Sequence, residues 1–159
     1  MAALTADAPM PHKGHLTKIG VKCVGADTFY EGALVYGDAT DGKAQATATT
    51  TEDDVFLGIC ARNITTTAAN QIVEVYVDGL WAFRPTVAIV EGDVGDVLII
   101  DDSATLSDNP ADCVTGAAAT TAVHDILIGK IIAIDITETD RAWVKIKPGY
   151  NYVAASGWE

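Results

Sequence analysis

Several residue types and patterns are scarce in this sequence, and each scarcity excludes a class of protein. No apolar run approaches the ~20 residues that a membrane helix needs. The 3 cysteines are widely spaced, without a CxxC pair. This odd count argues against a disulfide framework and against a zinc knuckle. We therefore expect Cys23, Cys60 and Cys113 to be buried free thiols.

Basic residues are also scarce, and they are unevenly placed. The 159 residues include 10 Lys plus Arg against 22 Asp plus Glu, for a net charge of −12. Residues 23–129 hold 17 acidic and 3 basic residues, whereas Lys13, Lys18 and Lys22 cluster near the start. Nucleic-acid binding depends on cations that neutralise phosphates, so this balance argues against a nucleic-acid partner. It predicts an acidic body that is attracted to basic surfaces.

Catalytic motifs are missing as well. The sequence has neither a glycine-rich phosphate loop nor a GxSxG nucleophile elbow. His12 and His15 form an HxxH pair, but a metal site needs three or four converging ligands. His124 and Asp125 adjoin an apolar run without a recognisable nucleophile. We expect no catalytic residue, no metal site and no cofactor.

Acidic clusters occur in predicted loops. Glu52-Asp53-Asp54 forms one cluster, and Asp101-Asp102 with Ser103 and Asp108 forms the other. Neither has the regular ligand spacing of a calcium-binding loop. We interpret these carboxylates as solvated turn residues.

What the sequence does contain is a series of short runs rich in Val, Ile, Thr, Tyr and Trp, separated by Gly and Asp. Such residues suit a pleated, half-buried surface, and the Gly/Asp pairs between them are turn signals. The pattern predicts an all-β domain, compact and sandwich-like or barrel-like, with one or two short helices at Pro85–Val90 and Ala117–Val123. The predicted strands are Leu16–Val24, Ala33–Tyr36, Val55–Cys60, Ile72–Phe83, Val97–Ile100, Ile126–Ile136 and Ala142–Ile146.

Three regions are predicted along the chain. Residues 1–18 are polar and proline-bearing, and we expect a flexible N-terminal arm there. Residues 19–148 form a single β-rich domain, and residues 149–159 form a C-terminal tail. The Thr/Ala stretches 44–51 and 64–69 favour strand edges or loops over helices, because Thr prefers extended backbone.

A faint internal repeat links the two halves of the predicted domain. The run Asp54-Val-Phe-Leu-Gly58-Ile59 resembles Asp125-Ile-Leu-Ile-Gly129-Lys130-Ile131, and a Gly/Asp turn with an apolar strand precedes each. A glycine inside a strand usually marks a bulge or a close backbone approach. A duplicated β-unit closing one barrel is one interpretation. Chance similarity in a Gly- and Asp-rich β protein is the other.

Large aromatic residues are the candidates for contacts between chains. Trp81 and Trp143 lie in predicted strands, where they fit either the core or a subunit contact. The tail carries Tyr150, Tyr152 and Trp158, and such residues favour interfaces. Packing of the tail on its own body is equally compatible with the sequence.

The order of these motifs resembles that of the small capsid decoration, or cement, proteins of tailed bacteriophages, in the lambda-type head decoration class. The resemblance covers roughly residues 20–147, and short motifs carry it. They are Asp54–Ile59, Ile72–Gly79, Val90–Asp96, Leu127–Ile131 and Trp143–Ile146.

The resemblance implies a structural virion protein without enzymatic activity. Such a protein would be made in the host cytoplasm and bind the capsid exterior as a homotrimer at threefold or quasi-threefold positions. There it would clamp the major capsid protein of the expanded shell, with no nucleic acid, membrane or cofactor involved. We expect the arm to dock on the shell through His12, Lys13, His15, Leu16 and Lys18. Trimer or partner contacts would involve Trp81, Trp143, Tyr150, Tyr152 and Trp158.

Two other functions are compatible with the sequence. A virion-surface module could recognise carbohydrate by stacking Tyr152 and Trp158 on sugar rings. A small trimeric nucleotide hydrolase is also conceivable, but three basic residues in the central body give poor support for triphosphate binding.

Overall fold

Antiparallel strands make up nearly all of the regular structure, so the all-β prediction is confirmed. The computed structural model describes residues 4–38, 40–46, 54–102, 108–115 and 124–149. Its strands are β1 His12–Lys13, β2 Lys18–Lys22, β3 Asp27–Phe29, β4 Leu34–Gly37, β5 Ala44–Gln45, β6 Val55–Cys60, β7 Ile64–Thr66, β8 Ile72–Tyr76, β9 Leu80–Phe83, β10 Val97–Asp102, β11 Cys113–Thr115, β12 His124–Ile134 and β13 Ala142–Ile146.

The strands form three sheets. Sheet A has the order β1-β9-β13-β12-β10-β11, and sheet B has the order β2-β8-β6-β4-β5. Sheet C is the pair β3-β7. Every neighbouring pair of strands is antiparallel, and the sheets do not close into a barrel.

Sheet B is buried on both faces at β4, because side chains along this strand point alternately to two separate cores. Leu34 and Tyr36 face sheet A, where they pack with Phe83, Leu98 and other residues of that sheet. Ala33 and Val35 face the opposite side and pack with Phe29 of sheet C. All four residues on β4 are buried. Period-two alternation along one strand thus joins three layers.

The two large sheets repeat one topology. In chain order, the strands β2, β4, β5, β6 and β8 pair as first-fifth-fourth-second-third in sheet B. The strands β9, β10, β11, β12 and β13 pair in the same order in sheet A, where β1 is an addition. The duplicated unit that the faint repeat suggested is therefore present in the structure, although it does not close a barrel.

The same bulge occurs in both units. Val35 pairs with Gly58 and Tyr36 with Phe56, so Leu57 has no residue opposite. In the second unit Leu98 pairs with Gly129 and Ile99 with Leu127, which leaves Ile128 unopposed. An extra residue of this kind bends a strand and increases its local twist.

Some expectations are wrong in detail. No helix forms over Pro85–Val90, where Thr86 is tied to the β11 region through its N–H to the Cys113 carbonyl (2.9 Å) and its hydroxyl to the Ala111 carbonyl (2.7 Å). The short helical elements that the structure describes are 3₁₀ turns at Glu91–Asp93 and Pro110–Asp112. The other predicted helix, Ala117–Val123, lies outside the described residues.

Two of the acidic residues expected in solvent are buried instead. Asp54 is 1% exposed and accepts a hydrogen bond from the Gln45 side chain at 2.9 Å. Asp108 is 2% exposed and accepts one from the Leu4 amide at 2.7 Å. Both carboxylates have found donors that replace water, as buried polar groups require.

Candidate interaction surface

The segment expected to be a free arm lies along the edge of sheet A. His12 pairs with Trp81 and Lys13 with Leu80, which makes β1 the outermost strand. The Ala82 amide donates to the Pro11 carbonyl at 2.9 Å. An uncovered β9 would present unpaired backbone groups, and covering them removes a template for aggregation.

Contacts further along the same segment hold it to the body. The Ala8 amide donates to the Glu31 carbonyl at 2.8 Å, and the Glu31 amide donates to the Asp7 carboxylate at 2.9 Å. Leu16 packs against the main core. The segment is thus a built part of the fold, with Lys18 beginning β2.

Trp143 is the outward-facing aromatic residue of β13, and two cations flank it. The Lys13 ammonium lies 4.2 Å from its ring centroid and the Arg141 guanidinium lies 5.8 Å from it. Contacts of a cation with an indole face stabilise by about 0.5–1 kcal/mol at exposed sites. This cluster joins β1 to β13 across β9, and it leaves Trp143 half-buried.

Arg141 is fixed by Asp135, which accepts several hydrogen bonds at once. The Thr137 amide and hydroxyl donate to one carboxylate oxygen at 2.8 and 2.7 Å, and Arg141 Nη2 donates to the other at 2.8 Å. The Thr137 bonds, with those from Arg141, hold the pKa of Asp135 well below its usual range. The turn after β12 therefore holds the Arg141 guanidinium in place beside Trp143.

Trp81 points the other way, into the core, and is only 2% exposed. Its indole N–H donates to the Asp78 carbonyl at 2.8 Å, and the Tyr76 and His12 rings lie 5.4 and 5.0 Å away. Little of Trp81 is left for a partner to touch. Trp81 and Trp143 thus occupy opposite faces of neighbouring strands, since Trp143 pairs with Ala82.

The remaining arm residues lie around the turn that joins β8 to β9. His15 is exposed, and Asp78 in that turn accepts hydrogen bonds from the Thr17 amide at 2.6 Å and hydroxyl at 2.7 Å. These bonds lower the pKa of the Asp78 carboxyl. Lys18 and Lys22 extend along β2 into solvent. Tyr150, Tyr152 and Trp158 lie outside the described residues.

A groove of about 350 Å³ runs between the N-terminal segment and the end of β9, and it was not foreseen from the sequence. Arg84 and Arg141 lie on its wall, but both are paired with carboxylates. Arg84 binds Asp140 at 2.7 Å and also contacts Glu138. The groove therefore offers a ligand little uncompensated positive charge.

The three thiols are buried and free, as expected. Burial raises the pKa of Cys60 to about 11 and that of Cys113 well above its usual value. Among the residues that the structure describes, no three His, Cys, Asp or Glu side chains converge as metal ligands. In the same part of the chain no helix has the length and apolar character to cross a bilayer.

Comparison of the chain with protein-family models, with curated proteins and with solved structures finds no match.

Proposed function

We propose that this chain is a structural virion protein that binds the outer surface of a tailed-phage capsid as a trimer and stabilises the expanded shell. The support is the placement of the motifs that carry the resemblance to decoration proteins. Asp54–Ile59 lies on β6 and the residue before it, Leu127–Ile131 on β12, and Trp143–Ile146 on β13. These motifs build the two repeated sheets, so the resemblance concerns the framework of the fold.

The surface features fit a role in binding other proteins. Trp143 remains half-buried on the outer face of sheet A, between two cations. Aromatic and arginine side chains are enriched in protein interfaces. The exposed lysines of β2 add a cationic strip to a chain whose net charge is −12. Such a strip is complementary to acidic groups on a shell.

Many copies on one shell would bind multivalently. Linking three binding sites in a trimer converts the later contacts into intramolecular events, so weak single contacts become durable. The major capsid protein is the proposed partner, and threefold or quasi-threefold positions match a trimer's symmetry.

The test combines mass measurement in solution with binding to shells of the phage whose genome encodes the chain. We expect a trimer that co-sediments with expanded shells and gives density at threefold positions in cryo-electron microscopy. Unexpanded precursor shells serve as the matched control, and we expect them to remain bare. A monomer that leaves expanded shells bare would refute the proposal.

Occupied shells should also resist heat better than bare ones. Binding to the native state alone raises apparent stability with ligand concentration. We expect the temperature of shell disruption, followed by DNA-dye release, to rise with occupancy. An unchanged temperature at full occupancy would refute stabilisation but leave binding intact.

A further inference from the structure

The duplicated topology makes the outer edges of β2 and β9 equivalent. The Tyr76 carbonyl oxygen lies against Gly58, and the Lys145 carbonyl oxygen lies against Gly129 in the same way. Tyr76 and Lys145 are therefore equivalent positions in the two units. Tyr76 pairs with Lys18, and Lys145 pairs with Leu80. Lys18 therefore corresponds to Leu80, and by counting two residues on, Gly20 corresponds to Ala82.

One of these two edges is covered by a strand. On β9 the Ala82 amide donates to Pro11, and β1 runs antiparallel alongside. On β2 the corresponding amide is that of Gly20. Among the described residues no strand lies beyond β2, which ends the strand order of sheet B.

Two hydrogen bonds that flank β2 show which of its backbone N–H and C=O groups point towards β8 and which point outward. The Cys23 amide donates to the Gln71 carbonyl at 2.9 Å, and the Val77 amide donates to the Thr17 carbonyl at 3.1 Å. Backbone groups in an antiparallel pair alternate between facing the partner and facing away. Odd-numbered residues thus bond to β8, while the N–H and C=O groups of Lys18 and Gly20 face outward.

Within the described part of the chain, this edge is uncovered along most of its length. Four of the five β2 residues are exposed, and Ile19 is 44% exposed. The edge ends just past Lys22, because the Val24 amide donates to the Ala44 carbonyl at 3.0 Å. The free stretch, Lys18–Lys22, is longer than the stretch Leu80–Ala82 that the N-terminal segment covers on β9.

Charge selects the kind of strand that fits. Lys18, Gly20 and Lys22 project from one face of β2, since side chains alternate along a strand. The Lys18 side chain is 47% exposed, and its ammonium lies 3.8 Å from Glu74. Opposite charges across a strand pair stabilise it and like charges destabilise it. A strand with acidic side chains two positions either side of a central residue places them opposite both lysines.

We propose that the outer edge of β2 accepts an antiparallel strand from another protein chain, with acidic side chains facing Lys18 and Lys22. Backbone hydrogen bonds supply the affinity in this mode of recognition, and alternate side chains supply the specificity. Pairing of β2 with β2 of a second copy is disfavoured, because antiparallel pairing centred on Gly20 sets Lys18 opposite Lys22.

The central position of the incoming strand faces Gly20, which has no side chain. An aromatic residue there packs across the glycine, as aromatic cross-strand neighbours do for glycines elsewhere, beside Ile72, whose Cγ2 lies 2.8 Å from where a Cβ on Gly20 would be. Apolar residues at the two intervening positions lie on the same face as Ile19 and Val21. The fitting sequence therefore alternates acidic, apolar, aromatic, apolar and acidic.

The probe that tests this is a fluorescein-labelled peptide of sequence Thr-Glu-Val-Tyr-Val-Glu-Thr, titrated with the full chain. We expect saturable anisotropy and slower hydrogen exchange of the Gly20 amide at about 1 mM peptide, where even a millimolar site is half filled. N-methylation of the peptide's tyrosine, whose amide faces β2, should abolish binding. N-methylation of either valine, whose amide faces away, should leave it intact.

Charge variants of the chain give the second arm of the test. Lys18→Glu with Lys22→Glu should weaken the peptide by about tenfold or more, since two attractive cross-strand pairs become repulsive. Lys130→Glu with Lys147→Glu changes net charge equally at β12 and just past β13, away from β2, and should leave affinity within about twofold. Circular dichroism establishes that each variant is folded.

Three outcomes would overturn the proposal. They are no effect of the peptide on Gly20 exchange, equal binding by the peptides methylated at tyrosine and at valine, and a dimer protected at Gly20 without peptide. The last would make a second copy the occupant. If the chain binds shells but does not bind the peptide, the proposed strand site on β2 is refuted and the proposed function is not.

Discussion

Gly58 and Gly129 occupy the same position in the two repeats, each one residue beyond a bulge and each beneath a carbonyl of the next strand. A Cβ atom on Gly58 would lie 2.3 Å from the Tyr76 oxygen, and one on Gly129 would lie 2.1 Å from the Lys145 oxygen. Gly58 also has a φ of 149°. Both sites require glycine because backbone, which cannot rotate away, fills the space of a side chain.

Replacement of either glycine by alanine should therefore destabilise the fold. We expect Gly58→Ala and Gly129→Ala each to lower the free energy of unfolding by about 1–3 kcal/mol, the usual cost of overpacking. Gly92→Ala is the control, since its Cβ would meet its nearest neighbour at 3.9 Å. Urea unfolding measures all three. If Gly129→Ala were as stable as the control, the close approach of the Lys145 carbonyl to Gly129 would be contradicted.

Deletion of residues 1–13 should uncover β9. The Ala82 amide loses its partner at Pro11, so its hydrogen exchange should accelerate. The exposed edge should also promote self-association, which sedimentation velocity detects. Lys13→Met is the comparison, because it removes the cation beside Trp143 and keeps the strand. Unchanged exchange at Ala82 in the deletion variant would show that β1 does not protect it.

Alkaline pH should destabilise the protein through its buried thiols. The unfolded chain releases the Cys60 proton near pH 9.0, whereas burial raises the folded pKa to about 11. The folded state therefore holds more protons over this range, and the free energy of unfolding falls as pH rises from 9 to 11. Between pH 8 and pH 10 this thiol accounts for about 1 kcal/mol.

Urea titrations of Cys60→Ala at both pH values isolate this effect. The variant is less stable overall but should lose less stability between them. A loss as large as that of the unsubstituted chain would rule out Cys60 as the source. At neutral pH we expect the folded chain to resist thiol reagents and the unfolded chain to react at all three cysteines.

Acid should destabilise the turn that holds Arg141. The folded pKa of Asp135 is lowered by Thr137 and Arg141, so its contribution is present above the unfolded pKa, near 4. It is lost as pH falls below that value towards the folded pKa. We expect Asp135→Asn to lower the melting temperature at pH 6 and to flatten its fall towards pH 3. Asp140→Asn, a substitution at an exposed position nearby, should leave the change of melting temperature with pH like that of the unsubstituted chain.

The sequence predicted the central strands well because their residues alternate or run apolar between clear turns. Val55–Cys60 and Ala142–Ile146 have the predicted bounds, and the predicted Ile72–Phe83 strand is divided in two around the Asp78-Gly79 pair. The short strands β1, β3 and β11 were missed. A run of two or three residues, such as His12-Lys13, is too short to show the alternating pattern of a strand. These residues are extended because they pair with the edge of sheet A.

The interaction surface was harder to predict than the fold. That Lys13 contacts a partner stays a prediction; the sequence did not indicate that Lys13 also lies over Trp143 of its own chain. That contact joins residues far apart in sequence through strand order, which composition does not encode. The faint Asp-to-Gly repeat was the one local signal of the duplication, and through it of the equivalence between β2 and β9.

The segment before β2 also limits how many partner strands one copy of the chain can bind. With β9 occupied by the chain's own residues, a donor strand finds one equivalent acceptor instead of two. Under the proposal that β2 accepts a strand, each copy takes up one donor at this pair of equivalent edges, so the complex has one-to-one stoichiometry there.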